Sequence, residues 1–145
     1  MNLNFKKMKL TKKLFTGIAI LTFGFTLLSM NTYQQAQPKP WDAPANFKTM
    51  KNPVANTPAN VTLGAALYKK NCSSCHGKIG LGDGVKARTL ATFPGDFSAA
   101  AYQSQTDGEH FYKTKTGRGD MPAYAGKIID EDIWTMVVYM RTLKK

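Results

Sequence analysis

The pattern of hydrophobic and polar positions divides the chain into three parts. Residues 14–30 form an uncharged, apolar run behind a lysine-rich start. Residues 37–59 hold five of the seven prolines without hydrophobic periodicity, which predicts an extended tether or a strap lying on the domain. Trp41 and Phe47 are the aromatic residues of this segment. They are expected either to dock on the domain or on a partner, or to be exposed. Residues 60–145 have apolar positions at helical spacing, so an all-α domain is expected.

Two helices are expected in the first two thirds of this domain. Asn60 or Thr62 is the predicted N-cap of the first helix, which runs to about residue 70. The second helix is predicted over residues 107–115, where Thr106 opens it and Gly117 closes it. Each prediction rests on a capping residue next to apolar positions at helical spacing.

A third helix is expected near the end of the chain. Asp130 is its predicted cap, because acidic residues follow in the first turn and basic residues lie at the other end, as the helix dipole favours. The residues predicted to form its buried side are Ile133, Trp134, Val137, Val138 and Met140.

The first 36 residues are typical of an export signal or of an N-terminal membrane anchor. The apolar run of residues 14–30 is long for the core of a signal peptide and short for a spanning helix. Gln34-Gln35-Ala36 is the best cleavage candidate, although it matches the usual small-residue pattern poorly. Both fates stay open, and the uncleaved form would associate with a membrane through residues 14–30.

The positive charge is concentrated at the start of the chain. The sequence has 20 basic and 9 acidic residues, a formal net charge of +11. Five lysines lie in residues 1–36, which contain no acid, so 15 basic residues and 9 acidic ones remain beyond, about +6. We therefore expect no nucleic-acid partner, and instead a surface that steers toward acidic proteins or anionic headgroups.

The run Cys72-Ser73-Ser74-Cys75-His76 is a CxxCH motif, the attachment signature of c-type haem. Two residues between the thiols bring both sulfurs to one side, within reach of the two vinyl groups of a porphyrin. The next residue then lies beneath the iron, where an imidazole binds as an axial ligand. Cys72 and Cys75 are therefore predicted to attach one haem c covalently, with His76 as the proximal iron ligand.

Three other uses of a CxxC pair remain as alternatives. A thioredoxin-like dithiol is expected in a βαβ setting, whereas the surrounding pattern is not rich in strands. A structural zinc site needs about four Cys or His ligands, and beyond the motif the chain offers only His110. A disulfide across so short a loop would constrain little of the unfolded chain.

The chain resembles the class I cytochromes c over about residues 60–143. Besides the CxxCH motif, the resemblance is carried by Gly64, Tyr68, Met121-Pro122, Trp134 and Tyr139. It implies an all-α fold with helices packed around one covalently attached haem, and a glycine that lets the first and last helices cross closely. A glycine inside a helix costs about 1 kcal/mol relative to alanine, so close backbone approach explains Gly64 better than helix propensity.

Met121 is the predicted distal iron ligand. It lies 45 positions after His76 in a glycine-containing loop, and its thioether would complete a His/Met iron, a pair that raises the reduction potential. Met136 and Met140 fall within a helical pattern, where core packing is the expected use. His110 would give a bis-His iron instead, but its place at a helix start predicts a surface histidine.

Other side chains are assigned weaker roles. Arg118 is a candidate partner for a haem propionate, or else a solvated surface arginine. Tyr124 and Phe97 are expected to pack in the haem pocket. Val85 replaces a proline found in related bacterial domains, which leaves the carbonyl that orients His76 unassigned. Five lysines have two interpretations: they form a docking face around the haem edge, or they are scattered over the surface for solubility. These are Lys78, Lys86, Lys113, Lys115 and Lys127.

These features predict electron transfer rather than enzymatic activity. A six-coordinate iron would pass single electrons between respiratory redox proteins in the periplasm, with the chain soluble or tethered to the outer face of the cytoplasmic membrane. The sequence between Asp107 and Tyr124 is similar to monohaem subunits of alternative complex III and to domains fused to terminal oxidases, so a membrane-tethered subunit is the alternative. A haem enzyme or gas sensor with an open iron position is the alternative of another class, which Met121 as a ligand would exclude.

Overall fold

The computed structural model describes residues 35–37 and 39–145. Nearly all of the predicted export or anchor segment lies outside this part, so its fate stays a prediction. None of the helices in the two described ranges is both long enough and apolar enough to cross a membrane. The chain from Gln35 onward belongs to one structural unit.

Helices account for the regular structure of the described residues. The helices are α1 (Ala45–Lys48), α2 (Pro58–Asn71), α3 (Ser73–His76), α4 (Ala100–Gln103), α5 (Asp107–Thr116) and α6 (Asp130–Arg141), with a 3₁₀ turn at Ala87–Thr89. Extended pairing in the same ranges is limited to isolated bridges, Ala36 with Thr92 and Arg118 with Met121. The predicted all-α fold is therefore confirmed.

Helix α2 begins earlier than predicted, so Asn60 and Thr62 are wrong as caps. Thr57 is the N-cap, and its hydroxyl oxygen accepts a hydrogen bond from the backbone N–H of Asn60 at 3.2 Å. Pro58 takes the first helical position, where its fixed φ suits the helix and its missing N–H has no partner to lose. Thr62 lies inside the helix and donates to the carbonyl of Pro58 at 2.9 Å.

Helix α5 has the caps that the sequence predicts. The Thr106 hydroxyl accepts from the Glu109 N–H at 3.2 Å, and the Glu109 carboxylate accepts from the Thr106 N–H at 2.7 Å. This reciprocal pair is a capping box, which satisfies two backbone donors at the start of the helix. Gly117 ends the helix with a φ of 63°, a left-handed conformation that glycine adopts without strain.

Helix α6 starts one residue away from the predicted cap. Ile129 is the N-cap and makes no side-chain capping bond, so the prediction that Asp130 caps this helix is wrong. Asp130 is instead the first helical residue, and its carboxylate accepts from Lys115 Nζ at 2.7 Å. The buried side matches the prediction and also includes Thr135 and Met136.

Helices α2 and α6 cross at Gly64. A Cβ built at this position would overlap the carbonyl oxygen of Thr135 and would lie 2.9 Å from Cβ of Tyr139. Tyr68 packs beside the crossing, with its ring centroid 5.2 Å from that of Tyr139. Close backbone approach is therefore confirmed as the reason for a glycine within this helix.

Residues 39–57, named the strap below, lie along the helical domain. Phe47 packs on Phe111 with ring centroids 6.3 Å apart. The Asn52 side-chain amide donates to the carbonyl of Trp134 at 3.1 Å. Contacts with α5 and α6 thus hold the second half of the strap against the domain.

Candidate haem-binding site

The CxxCH motif lies at the end of α2 and in the single turn of α3. The carbonyl of Cys72 accepts from the Cys75 N–H at 3.2 Å and from the His76 N–H at 3.0 Å. These bonds close one helical turn around the two intervening serines. The local geometry that the spacing predicts is therefore present, with both cysteines and the histidine lining one cavity.

The loop after the motif folds back on it through backbone hydrogen bonds. Gly82 N–H donates to the carbonyl of His76 at 2.9 Å, and the Tyr68 hydroxyl donates to the carbonyl of Gly77 at 2.7 Å. Gly84 packs so tightly on the backbone of the motif that a Cβ there would overlap it. The backbone around the histidine is thus held by the loop that follows it and by the buried Tyr68 of the helix before it.

His76 is a neutral imidazole in this environment. Burial lowers the pKa of His76 to about 4, and the nearby carbonyl of Pro94 acts in the opposite direction. Nδ1 is buried and makes no hydrogen bond of normal geometry with the described residues. The Phe97 ring packs on the imidazole at 4.5 Å between centroids. A buried neutral imidazole keeps a nitrogen lone pair for a metal.

Cys72 and Cys75 are not joined by a disulfide. Burial, with a further contribution from Cys75, raises the pKa of the Cys72 thiol to about 12. Its sulfur lies 4.0 Å from the sulfur of Met136, a core residue of α6. The raised pKa disfavours the thiolate form of Cys72.

A cavity opens beside the motif. It has a volume of about 190 Å³, and its lining includes Cys72, Cys75, His76 and Met121. A neighbouring cavity of about 540 Å³ shares Cys72, His76 and Met121 in its lining. The rest of the first lining is largely apolar and includes Leu90, Phe93, Pro94, Pro122 and Tyr124.

Met121 reaches this cavity from a tight loop between α5 and α6. Arg118 and Met121 exchange backbone hydrogen bonds, at 2.9 Å to the carbonyl of Met121 and 3.1 Å to that of Arg118. Tyr124 follows the loop, and its hydroxyl donates to the carbonyl of Asn71 at 2.7 Å. The loop is therefore connected to the end of α2, beside the first cysteine.

The side chain of Arg118 is directed at the strap. It donates two hydrogen bonds to strap carbonyls and lies over the ring of Trp41. Arg118 also lines both cavities, so its contact with a haem propionate stays a prediction. Trp41 lines the same cavities, a role that its place in a proline-rich segment does not reveal.

The prediction that His110 is a surface histidine is wrong. It is only 2% exposed, and its ring stacks on Tyr102 at 4.1 Å between centroids. Burial and the positive charges of Arg141 and Lys113 lower the pKa of His110 to about 3. The polar residues at the start of α5 suggested an exposed position, but the Tyr102 side chain covers it.

Val85 does not support the proximal histidine. Val85 is 90% exposed, whereas the carbonyl of Pro94 lies near the imidazole and Pro94 lines the cavity. The signal for Pro94 is the turn sequence Phe93-Pro94-Gly95-Asp96, in which a proline and a glycine fix the path of the backbone.

The five lysines of the predicted docking face differ in exposure. Lys78, Lys86 and Lys127 are exposed, while Lys113 and Lys115 are partly buried. Lys113 donates to the side chain of Gln105, and Lys115 is paired with Asp130. A docking role stays a prediction, with the three exposed lysines as its best candidates.

The donor set of the cavity fits a c-type haem. Two thiols one helical turn apart stand beside a neutral imidazole whose ring is held by packing. A thioether lies in the lining of the same cavity, and apolar side chains supply surfaces for a porphyrin. In the described residues, no group of three or more His, Cys, Asp and Glu side chains is placed to hold a metal ion by itself.

Comparison with known families agrees with this geometry. Residues 59–140, more than half of the chain, match the family described as cytochrome C oxidase, cbb3-type, subunit III. The chain belongs to this family. The family match and the all-α fold confirm the resemblance to the class I cytochromes c. The function of this domain is therefore electron transfer by a c-type cytochrome.

Two further proteins are similar to this chain, one in sequence and one in structure. A cytochrome c6 of Parathermosynechococcus lividus is 29% identical over 83 residues, which cover 57% of this chain and 88% of that protein. A chain of the reducing HAO-like protein complex of Kuenenia stuttgartiensis is similar in structure, with a TM-score of 0.59 and 22% identity. That match covers 78% of this chain and 53% of the other, so this chain spans about half the length of that relative and shares its fold.

Proposed function

We propose that this protein carries single electrons between respiratory redox partners outside the cytoplasm, through one covalently attached haem. Cys72 and Cys75 would form the two thioether bonds, and His76 and Met121 would be the axial ligands. The observation that carries the proposal is the common cavity, whose lining includes the motif and Met121. When bound there, a c-type haem supplies a one-electron iron couple.

The protein residues set the conditions for this couple. A neutral His76 donates a nitrogen lone pair, and a Met121 thioether favours the reduced iron and so raises the potential. Apolar side chains around the cavity exclude water, which disfavours the more highly charged oxidised state. Neither ligand has to gain or lose a proton during transfer, so the chain needs no acid or base at this site.

Met121 also argues against an enzyme or gas sensor. A side chain that fills the second axial position leaves none for an external ligand. The test is exposure of the reduced holoprotein to carbon monoxide at neutral pH, together with a redox titration. We expect one electron per chain and no rapid carbon monoxide binding. Fast binding by the unmodified protein would contradict the proposal.

A location outside the cytoplasm is supported by two features. CxxCH attachment requires reduced thiols delivered outside the cytoplasm, and residues 1–36 are typical of an export signal or anchor. The partners are expected to be acidic redox proteins, because the chain beyond residue 36 has about six more basic than acidic residues.

A second candidate is a membrane-tethered subunit of a respiratory complex such as alternative complex III or a terminal oxidase. It is favoured by the family description, which names an oxidase subunit. Fractionation of cells that express the full chain would separate the two. Copurification with a multihaem or oxidase complex supports the subunit, whereas recovery in the soluble periplasmic fraction supports the free carrier.

A further inference from the structure

One arginine joins the distal loop to the strap. Nη1 of Arg118 donates to the carbonyl of Pro40 at 3.0 Å, and Nη2 donates to the carbonyl of Lys39 at 2.9 Å. The guanidinium group also lies 4.6 Å from the centroid of the Trp41 ring. Two hydrogen bonds from a charged donor and a cation–π contact therefore converge on one side chain. Trp41 and Arg118 are named the clamp below.

The chain that carries Trp41 is fixed on both sides of the clamp. Before it, the Gln35 side-chain amide donates to the carbonyls of Ala87 and Leu90 at 2.5 and 2.8 Å. After it, Phe47 packs on Phe111 of helix α5. Because both flanking segments are attached to the domain, the carbonyls that receive Arg118 have a defined position.

The distal loop, residues 117–122, has few other attachments. Gly117 and Gly119 adopt positive φ values of 63° and 58°, and a Cβ at Gly119 would meet nothing within 4 Å. One further contact comes from Asp120, whose carboxylate accepts from the Ala91 N–H at 2.8 Å. A loop with two such glycines gains conformational freedom when a side-chain attachment is removed.

We infer that the clamp is a positioning device for Met121. The inference rests on the proposed His76/Met121 ligation. Arg118 and Met121 are joined by the two backbone hydrogen bonds of their bridge, so fixing the first residue fixes the backbone of the second. Trp41, Arg118 and Met121 line the same cavity, so the clamp also contributes to the lining of the proposed haem site. The strap, which lies outside the matched family region, thus contributes to the distal iron ligand.

A propionate role for Arg118 makes a different prediction. Its two terminal nitrogens are already engaged by strap carbonyls, and Trp41 contacts the guanidinium group through its ring face rather than through its N–H. Loss of a propionate partner would follow from changing Arg118 and not from changing Trp41. Loss of the clamp would follow from changing either one.

The test uses the full-length holoprotein with Trp41→Ala, Arg118→Gln and the double variant. The readouts are the sulfur-to-iron charge-transfer band of the oxidised protein and the affinity of the iron for added imidazole, which competes with Met121. We expect each single change to weaken the band and raise imidazole affinity about tenfold, as loss of a partly exposed cation–π contact and its hydrogen bonds implies. The double variant should stay within about twofold of the stronger single variant, because the two residues act as one unit.

Matched variants control for general effects. Arg88→Gln removes an exposed arginine elsewhere on the surface and should leave band and affinity unchanged. Trp41→Phe and Arg118→Lys keep an aromatic face or a positive charge and should recover part of the wild-type affinity. Haem content per chain, measured for every variant, reports whether each protein has folded around its cofactor.

The outcomes separate the clamp from the proposed ligation. Wild-type affinity in Trp41→Ala, with a change only in Arg118→Gln, would overturn the clamp in favour of a propionate role. A Met121→Ala variant that loses the band, beside clamp variants that keep both readouts, would overturn the clamp alone. A Met121→Ala variant that keeps the band would overturn the proposed ligation and the clamp together.

Discussion

The two walls of the haem cavity, the CxxCH motif (proximal) and the loop that carries Met121 (distal), are held by hydrogen bonds of very different range. On the proximal wall, the backbone hydrogen bonds of Cys72, Cys75 and His76 are made with residues within about ten positions. On the distal wall, Arg118, which is paired with Met121, donates to carbonyls 78 and 79 positions away. A short sequence can therefore specify haem attachment, whereas the second ligand depends on distant parts of the chain folding together.

This difference predicts two kinds of failure. Changes on the proximal wall should prevent covalent attachment or destabilise the helices behind it. Changes on the distal wall should leave the haem attached and loosen Met121.

Replacing both cysteines, as in Cys72→Ala with Cys75→Ala, or replacing His76→Ala should nearly abolish accumulation of holoprotein. A small all-α domain buries limited apolar area, so the attached porphyrin supplies much of its core. The measurement is haem staining after denaturing electrophoresis, with Ser74→Ala as a control inside the same motif. Normal yield and spectrum from the cysteine or histidine variants would contradict the haem-centred account.

Gly64→Ala should destabilise the domain by about 1–3 kcal/mol, as overpacking of a tight contact usually does. The new Cβ would overlap the Thr135 carbonyl at the crossing that supports the proximal wall. Denaturant unfolding of the holoprotein measures the change in free energy.

The control for this prediction is Ala66→Gly, at an exposed position of the same helix. Ala66→Gly should lower the free energy of unfolding by about 1 kcal/mol, because glycine has the lower helix propensity. By propensity alone, Gly64→Ala would raise the free energy of unfolding by a similar amount. A gain in stability from Gly64→Ala would therefore refute the close crossing.

Phe47→Ala should cost about 1–2 kcal/mol, less than a fully buried phenylalanine because the side chain is partly exposed. It detaches the strap from α5, so we expect covalent haem content to be unchanged and the affinity for imidazole to rise. Met50→Ala, at a more exposed strap position, is the matched control. Loss of covalent haem from Phe47→Ala would break the division between the two walls.

Asp130→Asn should have the smallest effect, roughly 0.5 kcal/mol, because its ion pair with Lys115 is partly exposed to solvent. Lys115 also accepts, through its carbonyl, from Tyr124 and Ala125 just after the distal loop. Glu131→Gln removes a carboxylate at the next position of the same first turn, which has no such ion pair with Lys115. Equal effects from the two variants, measured by thermal unfolding, would show that the helix dipole and not the pair matters.

The division between local and distant contacts also explains which features the sequence predicted. The caps of α5 were predictable because Thr106, Glu109 and Gly117 act within one helix. The start of α2 was not, because Thr57 and Pro58 lie in a proline-rich segment whose composition resembles a linker. Its capping signal was present, but the surrounding composition favoured a different interpretation.

Long-range packing accounts for the remaining differences. Nothing local to His110 indicates that Tyr102 will cover its ring, and nothing local to Trp41 indicates that Arg118 will lie over it. The CxxCH motif and the methionine loop are each readable from sequence. Their meeting in one cavity is a property of the fold.

The most direct test of the account is whether Met121 is bound to iron in the reduced holoprotein. The measurement is proton NMR of wild type, Met121→Ala and the core control Met136→Leu. A methionine methyl group held over a porphyrin gives a three-proton signal shifted far upfield by the ring current. We predict that wild type and Met136→Leu show this signal and that Met121→Ala lacks it. Persistence of the signal in Met121→Ala, or its absence from wild type, would contradict the His76/Met121 assignment.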